Sequence, residues 1–192
     1  PNAGSCSASR STFVAGNAVL RAGSEARRRF HDLGPDPAEH DLPVVVEHTY
    51  HAPATEAMNP ETGQSDKPNF TYGYGAQAVE IDVDVETGEV RLLRCVAAHD
   101  VGHAVNPKAV EGQIEGGFVM GQGYGLLEEH RLEAGHPQST TLATFLIPTI
   151  KDAPEALVPI ILEEADPDGP MGARGVGEMP MLPTPAAIAE AI

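Results

Sequence analysis

The chain has 192 residues, 41% of them hydrophobic, and a formal net charge of −16 at pH 7. That length supports one sizeable core, or two small lobes sharing one, and the acidity argues against nucleic acid or an anionic membrane as a partner, since either would repel it. Two cysteines, Cys6 and Cys95, are too few for an iron–sulfur cluster or a four-thiolate zinc site; they could pair with each other, but fit a reduced, cytoplasmic protein better; no apolar run reaches transmembrane length.

Residues 1–11 are small and polar and read as a loop. Residues 12 to about 30 read as a helix, with Val14, Ala18 and Ala22 recurring at helical spacing and Ser11 able to cap the start. Arg27, Arg28 and Arg29 fall on its last turn, where cations suit the helix dipole. A loop over 31–43 leads to the β-branched run 44–50, expected as a strand. Residues 51–69, punctuated by Asn59-Pro60, Thr62-Gly63 and Lys67-Pro68, form a long irregular excursion. Val79, Ile81, Val83 and Val85 then alternate with Glu80, Asp82, Asp84 and Glu86, the pattern of a half-buried strand with one acidic face. Thr87-Gly88 turns the chain into a second, more buried strand over 90–98.

Asn106-Pro107 is an N-cap followed by proline at the first helical position, opening a helix that runs to about residue 129. Val110, Ile114 and Phe118 share its apolar face. Gly117, Gly121 and Gly125 form a ridge that costs helix propensity, so something must pack closely against it. Residues 158–163 are a further strand, and Thr184 caps a last helix with Pro185 at its first position. Hairpins dominate, so the fold class is α+β, a hairpin-containing mixed sheet with packed helices. The chain starts at Pro1 without Met and stops at Ile192 inside an apolar helix. Residues 1–192 are therefore expected to be part of one domain truncated at both ends.

The chemistry concentrates in a few places. Gly172-Ala-Arg-Gly-Val-Gly-Glu178 sets one carboxylate at the end of a glycine-rich loop. Among Val176, Met179, Met181 and Leu182 it is expected to be poorly solvated, the setting in which a carboxylate becomes a useful base near neutral pH; the plainer alternative is a loop carboxylate that caps a helix or faces water. Ser7, Ser9 and Ser11 with Arg10 gather where the first helix begins, and free N–H groups there favour an anion; a serine-rich cap explains the same residues. Gln113 offers an amide donor and acceptor able to read a heterocycle edge, or simply to be solvated. His99 and His103 have zinc-like spacing, but Gly102 between them and the lack of a third ligand favour hydrogen-bonded histidines at a strand end.

Five segments occur in order: Pro1-Asn-Ala-Gly-Ser-Cys-Ser-Ala-Ser-Arg-Ser11, Gly75-Ala-Gln-Ala-Val-Glu-Ile-Asp-Val-Asp-Val-Glu-Thr-Gly88, Asp100-Val-Gly-His-Ala-Val-Asn-Pro107, Gly112-Gln-Ile-Glu-Gly-Gly-Phe118 and the Gly172–Glu178 loop. Together they resemble the C-terminal part of the molybdenum-binding subunit of the xanthine dehydrogenase/aldehyde oxidase family, the molybdenum hydroxylases. The resemblance implies a molybdopterin cofactor, or its cytosine dinucleotide form, whose metal takes no protein side-chain ligand. It implies that Ser7, Ala8, Ser9, Arg10 and Ser11 contact the cofactor, that Gln113 hydrogen-bonds the pterin, and that Glu178 is the catalytic base. The implied reaction is hydroxylation of an electron-poor carbon in an N-heterocycle or aldehyde with water-derived oxygen. Electrons would pass to Fe–S and FAD centres on partner subunits or domains, and the rest of the molybdenum subunit would complete the site. Arg174 and Met179 depart from the family pattern, where Lys and Pro are more usual. This reading predicts that Glu178, Gln113 and the Ser7–Ser11 loop share one cleft. A non-catalytic anion-binding or assembly module, retaining the scaffold without the chemistry, predicts no shared cleft or a solvent-facing Glu178.

Overall fold

The computed structural model describes residues 5–34 and 43–192; the loops expected at 1–4 and over 35–42 fall outside the described residues. The chain divides into two compact units, Pro1–Tyr72 with Ala165–Gly175, and Gly73–Glu164 with Val176–Ile192.

The first unit is organised around α1, Ser11–Asp32. Phe13 and Asn17 are its buried residues, one position before the expected face of Val14 and Ala18. Aromatic partners set that rotation: the Phe13 ring centroid lies 5.1 Å from Phe70 and 6.4 Å from Tyr50. Asn17 Nδ2 donates to the Asp168 carbonyl at 2.9 Å. The expected strand at 44–50 joins no ladder. β-branched residues favour a pleated surface only where a neighbouring strand supplies one, and here Tyr50 packs on α1 instead. Residues 51–69 form no strand or helix, as expected, and Asn59 Oδ1 ties their turn by accepting from the N–H groups of Glu61 and Thr62.

The second unit carries the sheet. β1, Tyr74–Val83, and β2, Val90–Asp100, form the expected antiparallel hairpin. Val85 sits in the turn, 93% exposed, because Asp84 Oδ1 accepts from the N–H groups of Glu86 and Thr87 and ends the strand early. The register shifts at Glu80/Ile81. An extra β2 residue at that point changes which side chains face inward, so Leu92 and then Cys95, Ala97 and His99 are buried. β5, Ala156–Leu162, adds parallel to β2, giving the order β1-β2-β5 and the mixed sheet of an α+β fold. Between them lie a two-residue hairpin, β3 Leu132–Glu133 and β4 His136–Pro137, and the single turn α3, Leu142–Phe145.

α2, Pro107–Gln122, begins where Asn106 Oδ1 accepts from the Ala109 N–H. It stops short of the expected residue 129, widening into a π turn over Gly123–Leu127. Ile114 and Phe118 join Leu92, Cys95, Ala97 and Ile188 in the core. The glycine ridge is met by the 3-10 turn Met179–Met181 and by α4, Thr184–Ala191. A Cβ at Gly117 would lie 2.7 Å from Pro180 Cβ; one at Gly121 would lie 2.6 Å from both the Met181 carbonyl oxygen and Thr184 Cβ. Backbone and a short buried side chain cannot yield there. Gly121→Ala is therefore expected to lower stability by about 1–3 kcal/mol, read from the urea midpoint. An unchanged midpoint would show that α4 moves away freely.

Candidate functional site

The serine loop precedes α1, whose N-cap is Arg10 with no side-chain hydrogen bond and whose first turn holds no acidic residue. Ser11, expected as the cap, is instead the first helical residue, and its hydroxyl donates to Cys6 Sγ at 2.8 Å. Among the described residues no side chain caps the first turn of α1, an end whose N–H groups and dipole favour an anion.

Ala8 and Ser9 hold φ of 55° and 53°. Each costs about 1–2 kcal/mol in an L-residue, and such strain collects at ligand clamps. Ser9 also touches the second predicted element: a Cβ at Gly175 would run into the Ser9 carbonyl oxygen, so only glycine allows the two backbones this approach. The serine loop and the glycine-rich loop meet at that point. Relief of strain gives a sign test. Ala8→Gly is expected to be neutral or stabilising, whereas Ala18→Gly within α1 should cost about 1 kcal/mol. Thermal melts that show equal losses would dismiss the strain.

Asp166 fixes the turn that leads into the glycine-rich loop. It is 9% exposed. Its Oδ2 accepts from Thr71 Oγ1 at 2.8 Å and Arg174 Nε at 3.1 Å, and its Oδ1 from the N–H groups of Asp168 and Gly169 at 2.9 and 3.0 Å. Burial opposes its charge, but the bonds from Thr71, Asp168 and Arg174 outweigh it and hold the carboxyl below the ordinary aspartate range.

The glycine-rich loop passes into the second unit after Gly175. Glu178 stands immediately before the Met179–Met181 turn and is exposed, not poorly solvated as its neighbours suggest. Those neighbours do not close over it: Leu182 is itself exposed. Val176 packs on the core, and Pro180 is buried against Gly117. The carboxylate is left outside. Gln113 is likewise exposed, on α2.

His99 and His103 do not form a metal site. His99 is fully buried in β2, while His103 is exposed, with Nδ1 3.3 Å from Glu163 Oε1. Among the described residues no group of three His, Cys, Asp or Glu side chains is placed to hold a metal. Both cysteines are free thiols, and burial pushes the Cys95 thiol up to about 11. No helix among the described residues is long and apolar enough to cross a membrane.

Sequence reading passed over Gln77. It occupies the inward series of β1 with Val79 and Ile81. A polar side chain among apolar ones on one strand face was the available signal. Its Nε2 donates to the Pro180 carbonyl at 2.7 Å, and its Oε1 accepts from Thr184 Oγ1 at 2.7 Å.

Comparison with known proteins shows the family. The profile of the molybdopterin cofactor-binding domain matches residues 1–154. The chain is 40% identical over 124 residues to a probable xanthine dehydrogenase subunit of Bacillus subtilis, covering 65% of this chain and 16% of that protein. It is 32% identical over 199 residues to the aldehyde oxidoreductase of Megalodesulfovibrio gigas, covering 100% of this chain and 21% of that protein. The solved structure of aldehyde oxidoreductase from Desulfovibrio gigas matches 98% of this chain and 21% of its own, with a TM-score of 0.82 at 31% identity. This chain therefore spans 16% and 21% of the two relatives. It belongs to the molybdopterin cofactor-binding domain family of the molybdenum hydroxylases.

Proposed function

We propose that the chain is a segment of a molybdenum-binding subunit that hydroxylates an electron-poor carbon of an aldehyde or N-heterocycle, with Glu178 as general base. The approach of Ser9 to Gly175 carries the reading: within the first unit it sets the serine loop against the start of the glycine-rich motif. The residues fit an anionic cofactor. α1 opens without a cap or an acid in its first turn, and the strained Ala8–Ser9 pair leads into it. When bound, the molybdopterin cofactor supplies the two-electron oxidation. The chain's own part is to hold the cofactor through Ser7, Ala8, Ser9, Arg10, Ser11 and Gln113, and to move a proton. A carboxylate oxygen of Glu178 accepts the proton released as water-derived oxygen adds to the substrate carbon. The electrons leave through Fe–S and FAD centres on partner subunits or domains. The free thiols of Cys6 and Cys95 support a cytoplasmic setting.

A second reading, a non-catalytic anion-binding module, draws support from the exposure of Glu178. Elemental analysis and turnover of an aldehyde and N-heterocycle panel by the complete protein separate the two. Stoichiometric molybdenum with turnover is expected. Neither, in a host that makes the cofactor, would leave the binding module standing.

A further inference from the structure

Glu178 is exposed, yet the segment that follows it is held tightly. Pro180 is buried against Gly117, the Met181 carbonyl lies over Gly121, and Thr184 is fully buried. All of these contacts lie within the second unit. Polar ties complete the grip, and they converge on the Gln77 side chain. Its amide meets Pro180 two residues after Glu178, and its carbonyl meets Thr184. Thr184 Oγ1 also lies 3.2 Å from the Pro180 carbonyl.

The chemistry fixes the orientation of this amide. The Pro180 carbonyl only accepts, so the NH₂ end must face it, and Oε1 is left for the Thr184 hydroxyl. The second N–H of Nε2 points to His99 Nε2, 3.3 Å away. His99 Nε2 is therefore the acceptor, and the ring is neutral with its proton on Nδ1. Burial pushes the His99 imidazole down, in agreement with a neutral ring. Gly75 makes room for this ring: a Cβ there would strike Nδ1. Gln77 thus has one oxygen and both hydrogens engaged, bridging β1 and β2 to the segment that follows Glu178.

We infer that Gln77 is a positioning residue: by clamping Pro180 and Thr184 to the sheet it fixes where Glu178 stands. This rests on the reading of Glu178 as the base. Two of its partners, Pro180 and Thr184, bracket the chain from residue 180 to residue 184, and the glycine ridge packs against the same segment. Where a carboxylate stands depends on how firmly the backbone that carries it is held. Loss of the clamp leaves the His99 imidazole nitrogen without its partner, and leaves the Pro180 carbonyl and the Thr184 hydroxyl held only by their mutual 3.2 Å contact, with no tie from either to the sheet.

The test uses the complete, cofactor-loaded protein and its cofactor-free form. Gln77→Leu keeps side-chain bulk and removes every polar tie. Thr184→Val removes the hydroxyl alone, and Thr184→Ser restores it. For Gln77→Leu the expected result is a fall in kcat of about 10- to 100-fold, with KM changed less than threefold and molybdenum content unchanged. In the cofactor-free form, amide hydrogen exchange is expected to quicken over residues 178–184 but not along α2. Thr184→Val should move both readouts in the same direction and Thr184→Ser should return them to wild type. Glu178→Gln is measured alongside. If it is inactive while Gln77→Leu keeps both normal turnover and normal exchange, the clamp is wrong and the base reading survives. If Glu178→Gln keeps full turnover, the base reading is wrong and the clamp has no base to position, whatever the exchange shows.

Discussion

Glu178→Gln in the complete protein is expected to lower kcat by about 10²–10⁴-fold while leaving molybdenum content and the thermal midpoint unchanged. The amide keeps the size and polarity of the side chain and loses only the capacity to take a proton. Its exposed position predicts that folding is indifferent to the exchange. The Ser9–Gly175 contact and the first turn of α1 are untouched by it, so cofactor retention should persist. KM should change little, because a base acts on the reacting oxygen more than on substrate binding. A variant that loses molybdenum together with activity would mark Glu178 as a cofactor-holding group. One that keeps both would remove it from the chemistry.

The parts of this fold governed by local pattern were legible in the sequence. Alternation marked the β1–β2 hairpin, and Asn106-Pro107 marked the start of α2 at the observed residue. The glycine ridge announced a close neighbour, found at Pro180, Met181 and Thr184. What failed depended on distant partners. The run 44–50 has strand-forming residues but no strand beside it. The rotation of α1 was set by Tyr50 and Phe70, which no periodicity within the helix encodes. Thr184 has the chemistry of a cap, yet Gln77, 107 residues away, takes its hydroxyl. The solvation of Glu178 was misjudged for a related reason. Apolar neighbours in sequence desolvate a carboxylate only if they pack around it, and Val176 and Pro180 pack beneath it instead. The glycine-rich motif singles the residue out, but burial is a property of the packed structure.

Asp166→Asn is expected to cost about 1–3 kcal/mol at neutral pH, the usual penalty for leaving a buried hydrogen-bonding group unsatisfied. The Asp166 side chain is 9% exposed and that of Arg174 13%. Asparagine keeps one oxygen, enough for the N–H groups of Asp168 and Gly169. Its NH₂ would then face the Arg174 guanidinium, where donor meets donor. The pH dependence identifies the charge as the cause. The folded carboxyl ionises below its ordinary value, so the stability it adds is fully present above the unfolded value of about 3.9. That contribution is lost as the pH falls through the folded value. Urea midpoints of wild type and variant should therefore stand far apart at pH 7 and converge below pH 4, as wild-type Asp166 takes up a proton and comes to resemble the variant. A gap that stays constant across this range would assign the loss to the shape of the turn at Asp168 and Gly169. Convergence would instead show that the Asp166–Arg174 charge pair holds the base of the glycine-rich loop, placing the electrostatic support for Gly175 in a residue outside every motif of the sequence.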